Sequence, residues 1–298
     1  MIARSVAALL FLALAPRPQA QEKPFTLNVD VDMVELSVSV TDDKDRPVGG
    51  LRQSDFTVRE DGVDQKIAVF RHEDIPVSLG LIVDNSRSME PRKDRLDAAA
   101  MAFVRKSNSE DETFLVHFDS EARLTLPFTT DEAKLEAALT GTKPFGETAI
   151  YDALDIALKE IEKAKHPKKA LLLITDGVDN VSGKTLDETV EAIKRSRVAI
   201  YTVGLLSLSG GSKAEDALIR IAESSGGRSY FPEDVEEART SMERVARNLR
   251  ERYTIGYVPS NTNRDGKWRS VRVEIAASPT TPPHLSANYR HGYFGPEP

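Results

Sequence analysis

The order of apolar patterns along this chain predicts an α/β fold: a doubly wound, mostly parallel sheet inserted in a small β-sandwich built from the amino- and carboxyl-terminal segments. Three observations carry the expectation. Between Pro76 and Arg250, short apolar runs alternate with helical stretches, the pattern of strands and crossover helices in a parallel sheet covered on both faces. On either side of that region apolar residues recur at every second position, as in half-buried antiparallel strands. Neither flank is large enough to bury a good core alone, so the two are expected to pair.

Taken in order, the first twenty residues stand apart. Arg4 is followed by an apolar run from Val6 to Ala15, then by Pro16, Arg17, Pro18 and the small Ala20. This is the pattern of a secretory signal peptide, its apolar core too short for a permanent span, with cleavage expected near Ala20 and a retained anchor as the alternative. No second hydrophobic segment is long enough to cross a membrane, so no span is expected once residues 1–20 are removed. Removal takes away Arg4 and Arg17 and leaves 38 basic residues against 47 acidic ones, a net charge of −9. Nucleic acid and anionic membrane surfaces are poor partners for such a chain. There is no cysteine. An exported domain without disulfides fits a bacterial periplasmic or secreted setting better than an animal extracellular one. With 40% hydrophobic and 29% charged residues, the composition suits one large or two modest cores.

Residues 21–75 form the first part of the expected sandwich. Val34, Leu36, Val38 and Val40 alternate with Glu35, Ser37, Ser39 and Thr41; Phe56 and Val58, the turn at Asp61 and Gly62, then Ile67 and Val69 suggest a hairpin. Residues 76–250 form the central domain. Helices are expected at 95–106, 131–139, 149–164, 186–195, 214–224 and 235–250, and strands at 113–118, 171–175 and 198–203, with short pieces near 124–126 and 229–231. Residues 251–298 return to period two at Tyr253, Ile255 and Tyr257, then at Val271, Val273 and Ile275, and complete the sandwich.

The stretch Leu79–Met89, LGLIVDNSRSM, organises the centre. Leu79, Leu81, Ile82 and Val83 read as a strand buried on both faces. Directly after it, Asp84, Ser86 and Ser88 occupy alternate positions, so in an extended loop their three oxygens converge, and hard oxygens suit a hard cation such as Mg²⁺. This D-x-S-x-S resembles the metal-ion-dependent adhesion site of von Willebrand factor A-type domains, which also uses a Thr from a second loop and an Asp from a third. Thr148 in GETAIYDAL and Asp176 in LLLITDG stand in that order. The resemblance covers about residues 76–250, and the flanks resemble the bacterial secreted subgroup with adjoining β segments. It implies that Ser86, Ser88 and Thr148 present hydroxyls to Mg²⁺, or to Mn²⁺ or Ca²⁺, with Asp84 and Asp176 bound directly or through water. It implies further that an open position on the ion takes an Asp or Glu of a protein partner. In relatives the last helix of the domain can shift when that partner changes, and Val235 to Arg250 runs into Tyr253 with no Gly or Pro between.

The expectation is a non-enzymatic, metal-dependent binding or scaffold protein. Two alternatives stand beside it, a structural module whose metal only ties loops together and a metal-dependent hydrolase. Asp119, Glu147 and Asp179 lie in the same loops and are read as solvated carboxylates. Arg87, between the two serines, is placed to assist an incoming carboxylate, to pair with Glu147, or to lie in solvent. GVDNVSGKT has five residues between Gly177 and Gly183 where a phosphate-binding loop needs four. An aspartate-nucleophile site would resemble D-x-D, and here the second acid is Ser86. H-E-x-x-H and G-x-S-x-G are absent. His117 reads as a packed core residue. Trp268 and Tyr289 to Phe294 read as sandwich core before a sugar platform. Nothing in the pattern sets an oligomeric state.

Overall fold

In the computed structural model, residues 33–106, 108–205, 211–276 and 284–298 are described; the expected signal peptide lies outside them. The central sheet is built on β5 (Val77–Asp84), whose eight residues are all buried, as the apolar residues on both of its faces require. Its neighbours are β8 (Lys168–Thr175) and β6 (Glu112–Phe118), both parallel to it, with Leu81 opposite Leu172 on one side and Leu115 on the other. Next to β8 lie β9 (Ala199–Gly204) and β10 (Ser229–Tyr230), while β7 (Ala122–Thr129) closes the far edge antiparallel to β6. The order β10-β9-β8-β5-β6-β7 is that of a doubly wound sheet with one reversed edge strand.

Helices cover both faces because successive strand residues point to opposite sides. Val77, Leu79, Leu81 and Val83 pack with α1 (Lys93–Arg105), α2 (Glu132–Thr140) and α6 (Val235–Arg250). On the other face Ile82 joins α3 (Ile150–Ile161), α4 (Leu186–Arg195) and α5 (Gly211–Ser225). Gly80 belongs to that second face. A Cβ there would lie 2.3 Å from Phe114 Cζ and 2.5 Å from Leu171 Cδ2, so its place is filled by neighbouring side chains.

The ends of the chain fold together into two four-stranded antiparallel sheets. One has β11 (Tyr253–Tyr257) between β1 (Val34–Thr41) and β4 (Ile67–His72), with β13 (Ser286–Asn288) beyond β1. The other pairs β12 (Trp268–Ile275) with β2 (Phe56–Glu60), flanked by β14 (Gly292–Phe294) and β3 (Val63–Gln65). Leu36, Val38, Phe56, Val58, Ile255 and Val273 share one core, so amino- and carboxyl-terminal residues bury each other's apolar faces.

Several sequence expectations change in detail. The turn at Asp61 and Gly62 does make a hairpin, but β2 pairs with β3; Ile67 and Val69 cross to the other sheet and pair with β11. The piece near 124–126 is an eight-residue strand. Tyr289 and Tyr293 are buried, whereas Trp268 is 38% exposed at the start of β12, its ring against Phe294 and under the Lys194 ammonium.

Candidate metal-binding site

Four of the five singled-out residues lie where parallel strands give way to loops at their carboxyl ends, the end of an open α/β sheet that binds ligands, and Thr148 joins them from the loop between α2 and α3. Asp84 closes β5, Ser86 and Ser88 follow in the next turn, Thr148 precedes α3, and Asp176 follows β8. Hydrogen bonds between main chains hold the three loops against one another. Arg87 N–H donates to Gly146 O, Phe145 N–H to Asn85 O, and Asn180 N–H to Thr148 O. The Asn180 side-chain oxygen accepts from the Thr148 N–H at 2.9 Å, which fixes the second loop to the third.

Three of the oxygens form a continuous chain. Ser86 Oγ lies 3.1 Å from Ser88 Oγ, and Ser88 donates to Asp176 Oδ1 at 2.7 Å. Asp84 Oδ1 accepts from the Ser86 N–H at 2.8 Å, while its Oδ2 accepts from the Thr175 hydroxyl at 2.6 Å. Thr148 Oγ1 and Asp84 Oδ2 face the same point beside Gly177, 3.3 and 3.9 Å from where a Cβ would stand. A side chain on residue 177 would therefore enter the site.

Electrostatically the two carboxylates differ. Asp84 is fully buried, and burial pushes its pKa up to about 6, with the nearby Asp176 adding to the rise and the hydrogen bonds from Ser86 and Thr175 resisting it. Asp176, whose side chain is 2% exposed, is paired with Arg92 through Nη1 at 2.9 Å. Sequence reading missed Thr175 and Arg92. A hydroxyl at the end of a strand signals nothing alone, and Arg92 belongs to no motif.

The set fits a small hard cation by its chemistry. It is all oxygen, and adjacent ligands of an octahedral ion with bonds of about 2.1 Å lie about 3 Å apart, close to the observed spacings of these hydroxyl and carboxylate oxygens. It is poor in charge, however. No group of three or more His, Cys, Asp or Glu side chains that could hold a metal occurs among the described residues, so hydroxyls must supply most of the contacts.

Of the other three acids of these loops, Glu147 is exposed as expected, whereas Asp119 and Asp179 are engaged within the fold. Asp119 is buried, bonded to Arg123 and to the Glu121 N–H. Asp179 accepts from Tyr151 N–H and Ser182 Oγ and so latches the third loop onto the start of α3. Arg87 and Glu147 are both exposed and form no ion pair with each other. His117 is buried as expected, its Nδ1 3.0 Å from Thr125 Oγ1.

Comparison with known proteins agrees with the fold of the central region. Residues 79–178 match the family model described as von Willebrand factor type A domain. Calcium-activated chloride channel regulator 4 of Homo sapiens is 28% identical over 163 residues, which is 52% of this chain and 17% of that protein, so the chain spans about a sixth of that relative's length. Among solved structures, the domain of the type V pili tip protein Mfa5 from Porphyromonas gingivalis superimposes with a TM-score of 0.52 at 14% identity, covering 59% of this chain and 95% of that one. A von Willebrand factor type A structure from Catenulispora acidiphila gives 0.51 at 13% identity and covers 87% of this chain and 72% of its own. Proximal thread matrix protein 1 from the mussel byssus, in a structure with zinc in its metal-ion-dependent adhesion motif, gives 0.52 at 18% identity over 64% of this chain and 49% of that chain.

Proposed function

The chain carries a von Willebrand factor type A domain, and from that premise we infer that it is an exported, non-enzymatic binding protein that holds a divalent cation and recruits an acidic side chain of a protein partner. The ion, Mg²⁺ or another hard divalent cation, would be held by Ser86, Ser88 and Thr148, with Asp84 and Asp176 as the negative groups. When bound it supplies a Lewis-acidic position for a carboxylate. Because Arg92 already neutralises Asp176, a divalent ion keeps a net positive charge there, and the exposed Arg87 adds to it.

The observation that favours docking over a purely structural metal is the rim. Phe145, Val178 and Val181, on the loops that carry Thr148 and Asp176, are 65%, 45% and 39% exposed. Large apolar side chains gathered in water around a polar centre mark a surface that another protein covers. Domains of this family typically mediate protein interactions. No helix of the described residues is long and apolar enough to cross a membrane. Residues 1–20 are read as the export signal, residues 76–250 as the binding domain, and residues 21–75 with 251–298 as the sandwich that carries it.

The test is a pull-down from a native envelope fraction with Mg²⁺, with chelator, and with Asp84→Ala and Phe145→Ser variants. Partners retained with Mg²⁺ and lost in the other three arms are expected. The same proteins recovered with chelator would return the metal to a structural role.

A further inference from the structure

At the opposite end of the central sheet, the amino-terminal ends of β5, β8 and β9 meet β1, β4 and β11 around a cavity of ≈ 330 Å³. Its wall carries Arg71, Lys168, Lys169, Arg197, Arg252 and Arg290 against only two carboxylates. This concentration is local, since the whole chain has 40 basic and 47 acidic residues.

Three of the six cations are tied to the protein. Arg252 is bonded to Ser37 and Tyr201, Lys168 Nζ donates to the carbonyl oxygens of Glu73 and Arg250, and Arg290 Nη1 donates to Ser196 O at 2.8 Å. The side chains of Arg71, Lys169 and Arg197 make no hydrogen bond or ion pair among the described residues. Arg290 Nε is buried without a partner, and burial together with the charge of Arg197 pushes the Arg290 pKa down. Like charges crowded at a partly desolvated site are unfavourable until an anion joins them. The cavity floor is apolar, with Leu36, Val77 and Leu249 buried beneath it.

We propose that this cavity binds a small organic oxyanion, a carboxylate or phosphate group on an apolar body, with the head group on Arg197 and Arg290 and the body against Leu36, Val77 and Leu249. Guanidinium groups suit such a head because their planar forks bond two oxygens at once. The size is at the lower end for small-molecule sites, which are commonly about 300–1,000 Å³. The site is independent of the metal centre, which lies at the other end of the same strands.

The experiment uses the full chain at constant ionic strength, titrated by calorimetry with phenyl phosphate, benzoate and inorganic phosphate. Saturable binding of phenyl phosphate or benzoate is expected, and the stronger of the two identifies the head group. Arg197→Ala should weaken it about ten-fold, the loss of one charged bidentate contact. The Arg197 side chain is exposed and bonded to nothing among the described residues, so circular dichroism should be unchanged. Asp84→Ala should bind the probe as wild type does. Absence of saturation up to about 10 mM of every probe, or wild-type affinity in Arg197→Ala, would overturn the site. Inorganic phosphate binding as tightly as phenyl phosphate would overturn the role of the apolar floor.

Discussion

Replacing Arg92 by alanine should tighten the binding of a divalent cation and, in the same molecule, weaken the binding of an acidic ligand. The Arg92 guanidinium sits 2.9 Å from Asp176 Oδ2, while Asp176 Oδ1 accepts from Ser88, a proposed metal ligand. Arg92 thus lies about one carboxylate away from the ion, and its removal restores the full negative charge of Asp176. Two unit charges about 4 Å apart interact by about 4 kcal/mol at the effective dielectric near a protein surface, but solvent takes most of that from an exposed group. The Arg92 side chain is 40% exposed, so about 1 kcal/mol is a fair discount, or about a five-fold gain in Mg²⁺ affinity. An incoming carboxylate then meets less positive charge and should bind more weakly by a similar factor. Calorimetric titration with Mg²⁺, followed by titration of an acidic peptide at saturating Mg²⁺, reads both signs. Weaker Mg²⁺ binding in Arg92→Ala would refute the reasoning, because Arg92 would then act as a prop for Asp176 and not as its counter-charge.

Thr148→Ala should weaken Mg²⁺ or Mn²⁺ binding while leaving thermal stability within about 1 kcal/mol, since the residue sits in a loop above the core; wild-type affinity by calorimetry would count against its role. Deleting residues 252–298 removes β11 from between β1 and β4 and β12 from beside β2, which exposes Leu36, Val38 and Val58, each worth about 1.5–3 kcal/mol when buried. Limited proteolysis should cut residues 34–72 faster in the truncated chain, and equal protection would contradict the shared core. His117 is held down to about 3 by burial, helped by Lys93 and Arg123, against 6.5 when unfolded. Below that upper value the unfolded chain takes up a proton that the folded chain refuses, so its stabilising share is complete above pH 6.5 and is lost as pH falls towards 3, by about 2 kcal/mol at about pH 5. Urea unfolding of His117→Leu should show that much less loss between about pH 7.5 and about pH 5 than wild type; identical pH dependence would place the acid sensitivity elsewhere.

The parts of this fold legible in the sequence are those whose cause is local. The run from Val77 to Val83 could only be a strand covered on both faces, and the period of two at Val34 to Val40 could only be a strand with one face in a core. The eight-residue β7 was harder to see because it is an edge strand. Pro127 interrupts its pattern, Leu124 is 37% exposed, and among the described residues only β6 pairs with it. The strand Ile67–His72 carries no mark of which sheet it joins, because that depends on β11, nearly two hundred residues away. Trp268 misled because an aromatic ring can lie half-exposed on a surface as readily as fill a core. At the site, the alternation of Asp84, Ser86 and Ser88 is local and visible. The approach of Thr148 and Asp176 is long-range and entered only through family resemblance. Thr175 and Arg92, which decide how much negative charge the two carboxylates can offer, are tertiary contacts with no sequence mark at all.

The junction between α6 and β11 bears on whether docking at the metal can be passed to the sandwich by a sliding helix. The last turn of α6 is fixed on two sides: Asn248 donates to the Tyr230 hydroxyl and its side-chain oxygen accepts from Ser39 of β1, while Arg250 pairs with Asp74 before β5. Two residues on, Arg252 is buried and donates to Ser37 Oγ at 2.6 Å, to Ser37 O at 2.5 Å and to Tyr201 OH at 2.7 Å, so one guanidinium bonds both the sandwich and β9. Hydrogen bonds to a charged group are worth about 1.5–3 kcal/mol each, and a shift of one helical turn would break all three. Coupling between two ligand sites is commonly about 1–3 kcal/mol, so docking of a carboxylate supplies too little differential affinity for that displacement. Hydrogen exchange over residues 246–257 should therefore be unchanged by a saturating acidic ligand in Mg²⁺. Replacing Arg252 by methionine should release the constraint, and a ligand-dependent change should then emerge over the same residues. Ligand-dependent exchange there in the wild-type chain would refute this account and restore α6 as a moving element.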